Sequence, residues 1–284
     1  MIMDQRQQFE QLVREQVPVA DVSYWFNQFE QAQQKQVEAM IQVALFYKEH
    51  HYYEEMYALL DEAAKSSDPN AYYELANCYF EILGNRGSEE QAFILYERAA
   101  LKNHRDAMNN LADMYLNGEG TAVDEKKAFE WFTKAAELGV VEAMYTLGIL
   151  YEQGLGTEMN EALALHYYHC SAQGGYDDAM YRMGMIYFDG DLKEQKNLEL
   201  AFSWFLKAAQ QYHVDALYNV AYCYELGQGV MADLQQAIHY YKQASVRGDA
   251  EASRKLADIY ETIDINQALK WRKKATEQVT FDEQ

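Results

Sequence analysis

Small and apolar residues recur along this chain at the spacing of one helix face, and the arrangement returns about every 36 residues. In each copy an alanine is followed by an apolar residue, usually Leu or Met, four positions on, by Ala or Gly five positions on, and by Tyr eight positions on. These spacings place the four side chains on one face of an α-helix. The copies begin at the following alanines: Ala39, Ala71, Ala107, Ala143, Ala179, Ala216 and Ala252.

A second helix is predicted in each copy, after a turn that contains glycine. Glycine suits the end of a helix because it adopts left-handed backbone angles without a steric penalty. The turns carry the pairs Gly118/Gly120, Gly154/Gly156 and Gly227/Gly229. Favoured N-cap residues then predict where the second helix begins, at Asp124, Asn160 and Asp233. Because one helix pair cannot bury its own apolar face, we expect stacked copies to share a core.

The pattern resembles the Sel1-like repeats, close relatives of tetratricopeptide repeats. The resemblance rests on A-x-x-x-L-G/A-x-x-Y-x-x-G-x-G followed by D-x-x-x-A-x-x-W/Y-F/Y-x-K-A-A-x-x-G. It implies an all-α fold, a right-handed α-solenoid of stacked antiparallel helix pairs, with about seven repeats over residues 39–277. The copies at Ala71 and Ala179 depart from the pattern in the turn. Residues 1–38 are expected to form N-terminal helices of a degenerate capping repeat, and residues 278–284 a polar C-terminal tail.

The charge and composition of the chain indicate its cellular location and the class of partner that it binds. Lys and Arg total 24 against 45 for Asp and Glu, so the net charge is −21. Nucleic-acid binding needs a basic surface that displaces counterions, so we predict a protein partner with a basic docking surface and no nucleic acid. Three scattered cysteines, the lack of a long apolar stretch and the lack of a signal-peptide pattern predict a cytoplasmic protein that does not enter membranes.

Few residues could carry chemistry, and each has a simpler structural interpretation. His166, His169 and Cys170 lie at i, i+3 and i+4 of one helix, but zinc needs three or four supported ligands and no second cluster accompanies them. The Gly-x-Gly turns lack the Gly-Lys-Ser/Thr ending of a phosphate-binding loop. The chain also lacks the common nucleophile motifs. We therefore predict a protein that is not an enzyme and that has no metal and no cofactor.

An acidic residue precedes the first alanine in most copies, where it could either cap the helix or meet a partner. A carboxylate at a helix N-terminus is stabilised by the helix dipole and can accept hydrogen bonds from free N–H groups. We therefore favour capping. The acids are Asp106, Glu142, Asp178, Asp215 and Glu251.

The candidate binding surface consists of the first-helix positions two and six residues after the first alanine, which point away from the packing row. In tetratricopeptide arrays the first helices line the concave face, and the resemblance implies the same here. Tyrosine suits recognition because it offers a large contact area with few rotatable bonds; stacking of the rings between repeats is an equally good interpretation. The ten residues are Tyr73, Asn77, Asn109, Asp113, Tyr145, Ile149, Tyr181, Met185, Tyr218 and Tyr222.

Three functional hypotheses follow from these features. The first is a non-enzymatic adaptor that binds a peptide or protein on its concave face. A sharper version is an immunity protein or secretion chaperone that neutralises a basic toxin or effector, because the family resembled here is used in bacterial signalling and beside secreted toxins. The third is a small-molecule-binding or enzymatic solenoid, for which His166, His169 and Cys170 are the cluster to test. Pairing of solenoid ends into a homodimer stays open.

Overall fold

The structure is a computed structural model that describes residues 5–18, 21–83 and 86–282. The chain divides into two compact units, residues 1–138 and residues 139–284. Each unit is built from helices that pack on their neighbours along the chain. The described residues contain no β-strand, which confirms the predicted all-α class.

The first unit holds eight α-helices and one short π-helix among its described residues. The π-helix Cys78–Leu83 continues α5 directly. The α-helices are α1 Gln5–Gln16, α2 Val22–Gln33, α3 Val37–Glu49, α4 Tyr53–Ala64, α5 Pro69–Asn77, α6 Arg86–Ala100, α7 Arg105–Asn117 and α8 Glu125–Glu137.

The second unit holds eight further α-helices in its described part, four first helices that alternate with four second helices. They are α9 Val141–Gln153, α10 Glu161–Gln173, α11 Asp177–Asp189, α12 Leu198–Gln210, α13 Val214–Leu226, α14 Leu234–Val246, α15 Ala250–Glu261 and α16 Ile265–Asp282.

The predicted packing row forms the core of both units. The first alanine of every copy is buried, and so is the apolar residue four positions on. At the fifth position a small residue is required, because a Cβ on Gly148 would lie 2.5 Å from the ring of Tyr168 and one on Gly184 would lie 2.4 Å from the ring of Phe205. This confirms that the small residue permits close approach of the second helix.

Glycine ends the first helices where the pattern predicts it. Gly118, Gly154 and Gly227 have left-handed φ values between +69° and +77°. The second glycine of a pair can be required for a different reason. A Cβ on Gly229 would lie 2.0 Å from the carbonyl oxygen of Leu198 in the preceding repeat. The turn therefore touches the backbone of its neighbour, which only glycine allows.

Side-chain caps begin the second helices at the predicted residues. The carboxylate of Asp124, the amide oxygen of Asn160 and the carboxylate of Asp233 each accept a hydrogen bond from a backbone N–H in the first turn. Asn197 does the same for α12, in a copy whose turn departs from the pattern. Capping is thus retained where the glycine pair is lost.

The two ends of the chain differ from the regular repeats. At the N-terminus, α1 buries Phe9, Leu12 and Val13, while Tyr24 of α2 is exposed. At the C-terminus, α16 continues through Asp282, so the segment predicted as a polar tail extends the last helix. Among the described helices, none has both the length and the apolar character that a bilayer crossing requires.

Candidate functional site

The ten predicted surface residues lie on first helices in both units. Tyr73 is on α5, Asn77 ends it, and Asn109 and Asp113 are on α7 in the first unit. The other six are on α9, α11 and α13 in the second unit. Nine of the ten side chains are partly buried, and Asn77 is buried. The surface is therefore made of side chains that are already packed on one side.

Four of the predicted residues are tyrosines that lie two positions after the first alanine of a copy. Each of them packs on an aromatic ring of the second helix of its own repeat. The ring centroids are 6.0 Å apart for Tyr73 and Tyr96, 5.6 Å for Tyr145 and Tyr168, 5.8 Å for Tyr181 and Phe205, and 5.4 Å for Tyr218 and Tyr241. These contacts lie within repeats and hold one side of each ring in place.

Three of these tyrosines also contact the N-cap residue of the next first helix. Tyr73 stacks on His104 at 4.4 Å, and Tyr181 stacks on His213 at 4.7 Å. Tyr145 lies 5.3 Å from Tyr176 in a tilted arrangement. A ring at the N-cap therefore closes the junction between two repeats. The three tyrosines contact N-cap residues and not one another, and their use in binding a partner stays a prediction.

The polar positions of the first unit are less open than the sequence indicates. Asn77 accepts a hydrogen bond from the Tyr96 hydroxyl at 2.6 Å, and its burial separates it from any partner surface. The Asn109 amide donates to the Asp113 carboxylate at 3.2 Å. Burial raises the pKa of Asp113 to about 6, and the nearby charge of Glu119 adds to this effect.

The acids before the first alanines do not cap their helices, so our preference for capping was wrong. Each lies at the second helical position, and the N-cap is two residues earlier. His104, His213 and Asp249 accept the backbone hydrogen bond instead, from Ala107, Ala216 and Ala252. The acids stay near the positive end of the helix dipole. Asp178 bonds His213 and Glu251 pairs with Arg254, while Asp215 is exposed.

Two carboxylates on first helices join neighbouring repeats in the second unit. Glu152 accepts hydrogen bonds from the Tyr168 hydroxyl and from Arg182, both at 2.6 Å. Arg182 also bonds Asp191 at 3.0 Å, and its guanidinium carbon lies 5.7 Å from the centre of the Tyr168 ring. Two repeats later, Glu225 accepts from Tyr241 at 2.6 Å and faces Lys255 at 3.7 Å. On this face the chain thus binds its own cations with carboxylates and tyrosines.

A cleft of about 640 Å³ opens at the junction of α11, α13 and α15. Tyr181, Tyr218 and Asn219 line it, together with the carboxylates of Asp215, Asp249 and Glu251 and the side chain of Arg247. Burial raises the pKa of Tyr218 to about 12, and the charges of Glu251 and Asp249 reinforce this shift. Burial also raises the pKa of Asp249. The cleft is therefore acidic and has tyrosine walls.

The residues considered for metal binding do not form a site. Cys170 Sγ lies 3.6 Å from His166 Nε2 on the surface of α10, and His169 packs against the edge of Trp204. In the described part of the chain, no three His, Cys, Asp or Glu side chains are grouped closely enough to hold a metal ion.

Sequence reasoning missed the N-cap positions of the first helices. The signal was available, because His104, Tyr176, His213 and Asp249 recur with the period of the alanines. What the period could not give is that the rings of His104, Tyr176 and His213 meet the tyrosine of the preceding repeat, a contact between residues more than 30 positions apart.

Comparison with known proteins assigns the repeats to a family. The Sel1 repeat model matches residues 69–104, 105–140, 141–176, 177–213, 214–249 and 250–278. The copy predicted at Ala39 precedes these matches and is covered by α3 and α4. In sequence, 71 residues are 35% identical to chitin synthase regulatory factor 2 of Schizosaccharomyces pombe, over 25% of this chain and 14% of that protein.

Two solved structures share the fold. One is a protective antigen present in uropathogenic Escherichia coli strains, with a TM-score of 0.79 and 26% identity over 89% of this chain and 56% of that chain. The other is a Sel1 repeat protein from Oxalobacter formigenes, with a TM-score of 0.76 and 26% identity over 84% of this chain and 99% of that chain. This chain thus spans less than two thirds of the yeast factor and of the antigen. With six matched repeats that cover more than half of its length, the chain belongs to the Sel1 repeat family.

Proposed function

We propose that this protein is a non-enzymatic adaptor that binds a protein with a basic docking surface on the first-helix face of its repeats. Sel1 repeat proteins generally mediate protein–protein interaction, and their fold is typically an interaction scaffold rather than an enzyme. The partner class, the basic surface and a cytoplasmic, bacterial setting are the parts that we add for this chain.

One observation carries the proposal: in the second unit, half-buried tyrosines and outward-pointing acids share the same face. Tyr145, Tyr181 and Tyr218 are held by rings behind them, so little side-chain entropy is lost when a partner covers them. Asp215 and Glu251 are exposed beside these rings. Acids at the rim of a preformed aromatic surface favour a basic partner and speed its association at low salt.

The charge of the chain supports the same class of partner. A net charge of −21 repels the phosphate backbone of nucleic acids and attracts basic proteins. A neutralising role, as an immunity protein or chaperone for a basic toxin or effector, is one form that such an adaptor could take. Pairing between copies of the chain is a second, separate proposal that sedimentation velocity can test.

The test uses charge reversal, because alanine at the tyrosines would also disturb packing. Asp215 and Glu251 are exposed, so the Asp215→Lys/Glu251→Lys variant should fold normally. A matched control, Glu158→Lys/Glu199→Lys, makes the same change in net charge at exposed residues away from this face. Each protein is used for affinity capture from a lysate of the source cells at low and moderate salt, and the captured protein is then purified and titrated directly.

We expect the wild type and the control to bind the purified partner, more weakly at the higher salt, and the Asp215→Lys/Glu251→Lys variant to lose most of the affinity. Equal binding by both variants would show that the partner uses another surface. Capture of a nucleic acid, or of no macromolecule at either salt, would contradict the adaptor proposal itself.

A further inference from the structure

One junction of the second unit lacks the ring that closes the others. At the N-cap of the next first helix, Tyr145 meets Tyr176 and Tyr181 meets His213. Tyr218 has Asp249 at the corresponding position. The backbone is the same in both cases, with φ −58° and ψ 120° at His213 and φ −65° and ψ 105° at Asp249. At this position the two junctions therefore differ chiefly in the side chain.

The short side chain of Asp249 leaves one side of the Tyr218 ring open. Tyr241 supports the ring at 5.4 Å, and Tyr222 lies nearly parallel to it at 6.5 Å on the same helix. No ring from the described residues of α15 stacks on Tyr218. The cleft of about 640 Å³ lies at this place, lined by Tyr218 and Asp249. It is open at the place where a ring contacts the tyrosine at the two preceding junctions, tilted in Tyr176 and stacked in His213.

The charges around the cleft specify which flat group would fit. Asp215, Asp249 and Glu251 all line it. Two arginines of the chain are near, and both are engaged: Arg247 donates to the Gln243 carbonyl and lies over the Tyr212 ring at 4.3 Å, while Arg254 pairs with Glu251. Among the described residues, Asp215 and Asp249 have no ion-pair partner, so the cleft keeps uncompensated negative charge beside an open aromatic ring.

On the same face, one arginine of the chain is already bound by carboxylates beside a tyrosine ring. The guanidinium of Arg182 is bound by the carboxylates of Glu152 and Asp191 and lies near the ring of Tyr168. Carboxylates and a tyrosine ring are what a planar, multi-donor cation requires. An ammonium group would use the carboxylates but gain less from the open ring, and a neutral aromatic group would leave the acids unused.

We infer that the cleft between α11, α13 and α15 binds the guanidinium of an arginine side chain that the partner protein presents. The arginine would stack on Tyr218 where His213 stacks on Tyr181, and it would donate hydrogen bonds to Asp215 and Asp249. This inference rests on the proposed adaptor function and names the group that the adaptor recognises.

The experiment titrates the full chain with small probes and follows its amide resonances by ¹⁵N–¹H NMR. The probes are N-acetylarginine amide, N-acetyllysine amide and N-acetyltyrosine amide, each at the same ionic strength. We expect the arginine probe to cause saturable shifts at the amides of residues 214–219 and 247–251. The lysine probe should bind at least about fivefold more weakly, because an ammonium cannot stack and bond in the guanidinium geometry.

Variants assign the binding to the cleft. Asp249→His supplies the ring that closes the other junctions and keeps a residue that caps α7 and α13 of this chain, so it should fold and lose the saturable shifts. Asp215→Asn should weaken binding about tenfold, since it removes a charge-assisted hydrogen bond. Glu199→Gln, which removes one charge at an exposed site on α12, should bind like the wild type.

Several results would overturn the inference. They are the absence of saturable shifts at these amides, equal binding of arginine and lysine probes, stronger binding of the tyrosine probe, or unchanged binding in Asp249→His. The outcomes separate the two proposals. If the purified partner still depends on Asp215 and Glu251 while the arginine probe fails, the adaptor function stands and the arginine site does not. If both fail, both proposals are wrong.

Discussion

Two neighbouring junctions of the second unit are built from the same positions and differ at the N-cap of the helix that follows. Between α11 and α13, His213 caps the helix, stacks on Tyr181 and bonds Asp178 at 3.1 Å, so the junction is closed. Between α13 and α15, Asp249 makes the same cap but has no ring, and a cleft remains beside Tyr218. The N-cap residue can therefore cap its helix and also cover the tyrosine of the preceding repeat, as His213 does, or it can cap the helix alone, as Asp249 does.

The largest effect that separates the junctions is expected from removing their tyrosines. Tyr181→Ala loses contacts with Phe205 of its own repeat and with His213 of the next, whereas both rings that Tyr218→Ala loses, Tyr222 and Tyr241, belong to its own repeat. We expect Tyr181→Ala to lower the free energy of unfolding by about 2–4 kcal/mol and Tyr218→Ala by about 1–2 kcal/mol. Urea unfolding followed by circular dichroism measures both. A larger loss for Tyr218→Ala would contradict the description of that junction as open.

A second comparison concerns the two carboxylate links. Arg182→Met leaves Glu152 without its cation in a partly buried site, and we expect a loss of about 1–3 kcal/mol. Lys255→Met removes a longer contact of 3.7 Å, with an expected loss below about 1 kcal/mol. Arg254→Met, at an exposed pair, is the control and should change stability little. Thermal denaturation of the three variants ranks them, and equal losses for Arg182 and Lys255 would contradict the ranking.

His104, the N-cap residue of α7 in the first unit, predicts that the stability of the fold depends on pH. His104 Nδ1 accepts the Ala107 N–H, and burial lowers the pKa of His104 below its usual value. The folded state therefore binds this proton less readily than the unfolded state, so the contribution is present above about pH 6.5 and is lost as the pH falls below it. The loss should be on the order of 1 kcal/mol.

Urea unfolding at pH 7 and pH 5 checks this prediction in wild type and His104→Asn. Asparagine caps a helix without titrating in this range, so the variant should show a smaller decrease in stability between the two pH values. The exposed His239 provides the control, and His239→Asn should keep the wild-type pH dependence. An unchanged pH dependence in His104→Asn would contradict the role given to His104.

The smallest expected effect converts the open junction into a closed one. Asp249→His should raise the free energy of unfolding by about 0.5–1 kcal/mol, because the ring covers Tyr218 and one of three neighbouring carboxylates is removed. The increase should appear as a higher urea midpoint. The reverse exchange, His213→Asp, should lower the midpoint, and stabilisation by that change would break the comparison.

Much of the fold was predictable because it depends on local, repeated choices. The packing row from Ala107 to Tyr115, the left-handed glycine at Gly118 and the cap at Asp124 each follow from spacing and backbone chemistry within one copy. The turn after α5 was recognised as irregular, but its π-helix Cys78–Leu83 was not foreseen, because no periodic signal distinguishes the two helix types.

The sequence by itself determined the helix pairs, their order, their core positions and the helices on which the tyrosines would lie. Only the tertiary structure decided which of those tyrosines are closed by a neighbour and which are open. That decision depends on residues about 30 positions apart, which the stacking of repeats brings together: Tyr181 and His213 are in contact, whereas Tyr218 and Asp249 line an open cleft. The periodicity of the sequence shows the residues that the copies share, whereas the cleft lies where one copy has Asp249 in place of an aromatic ring.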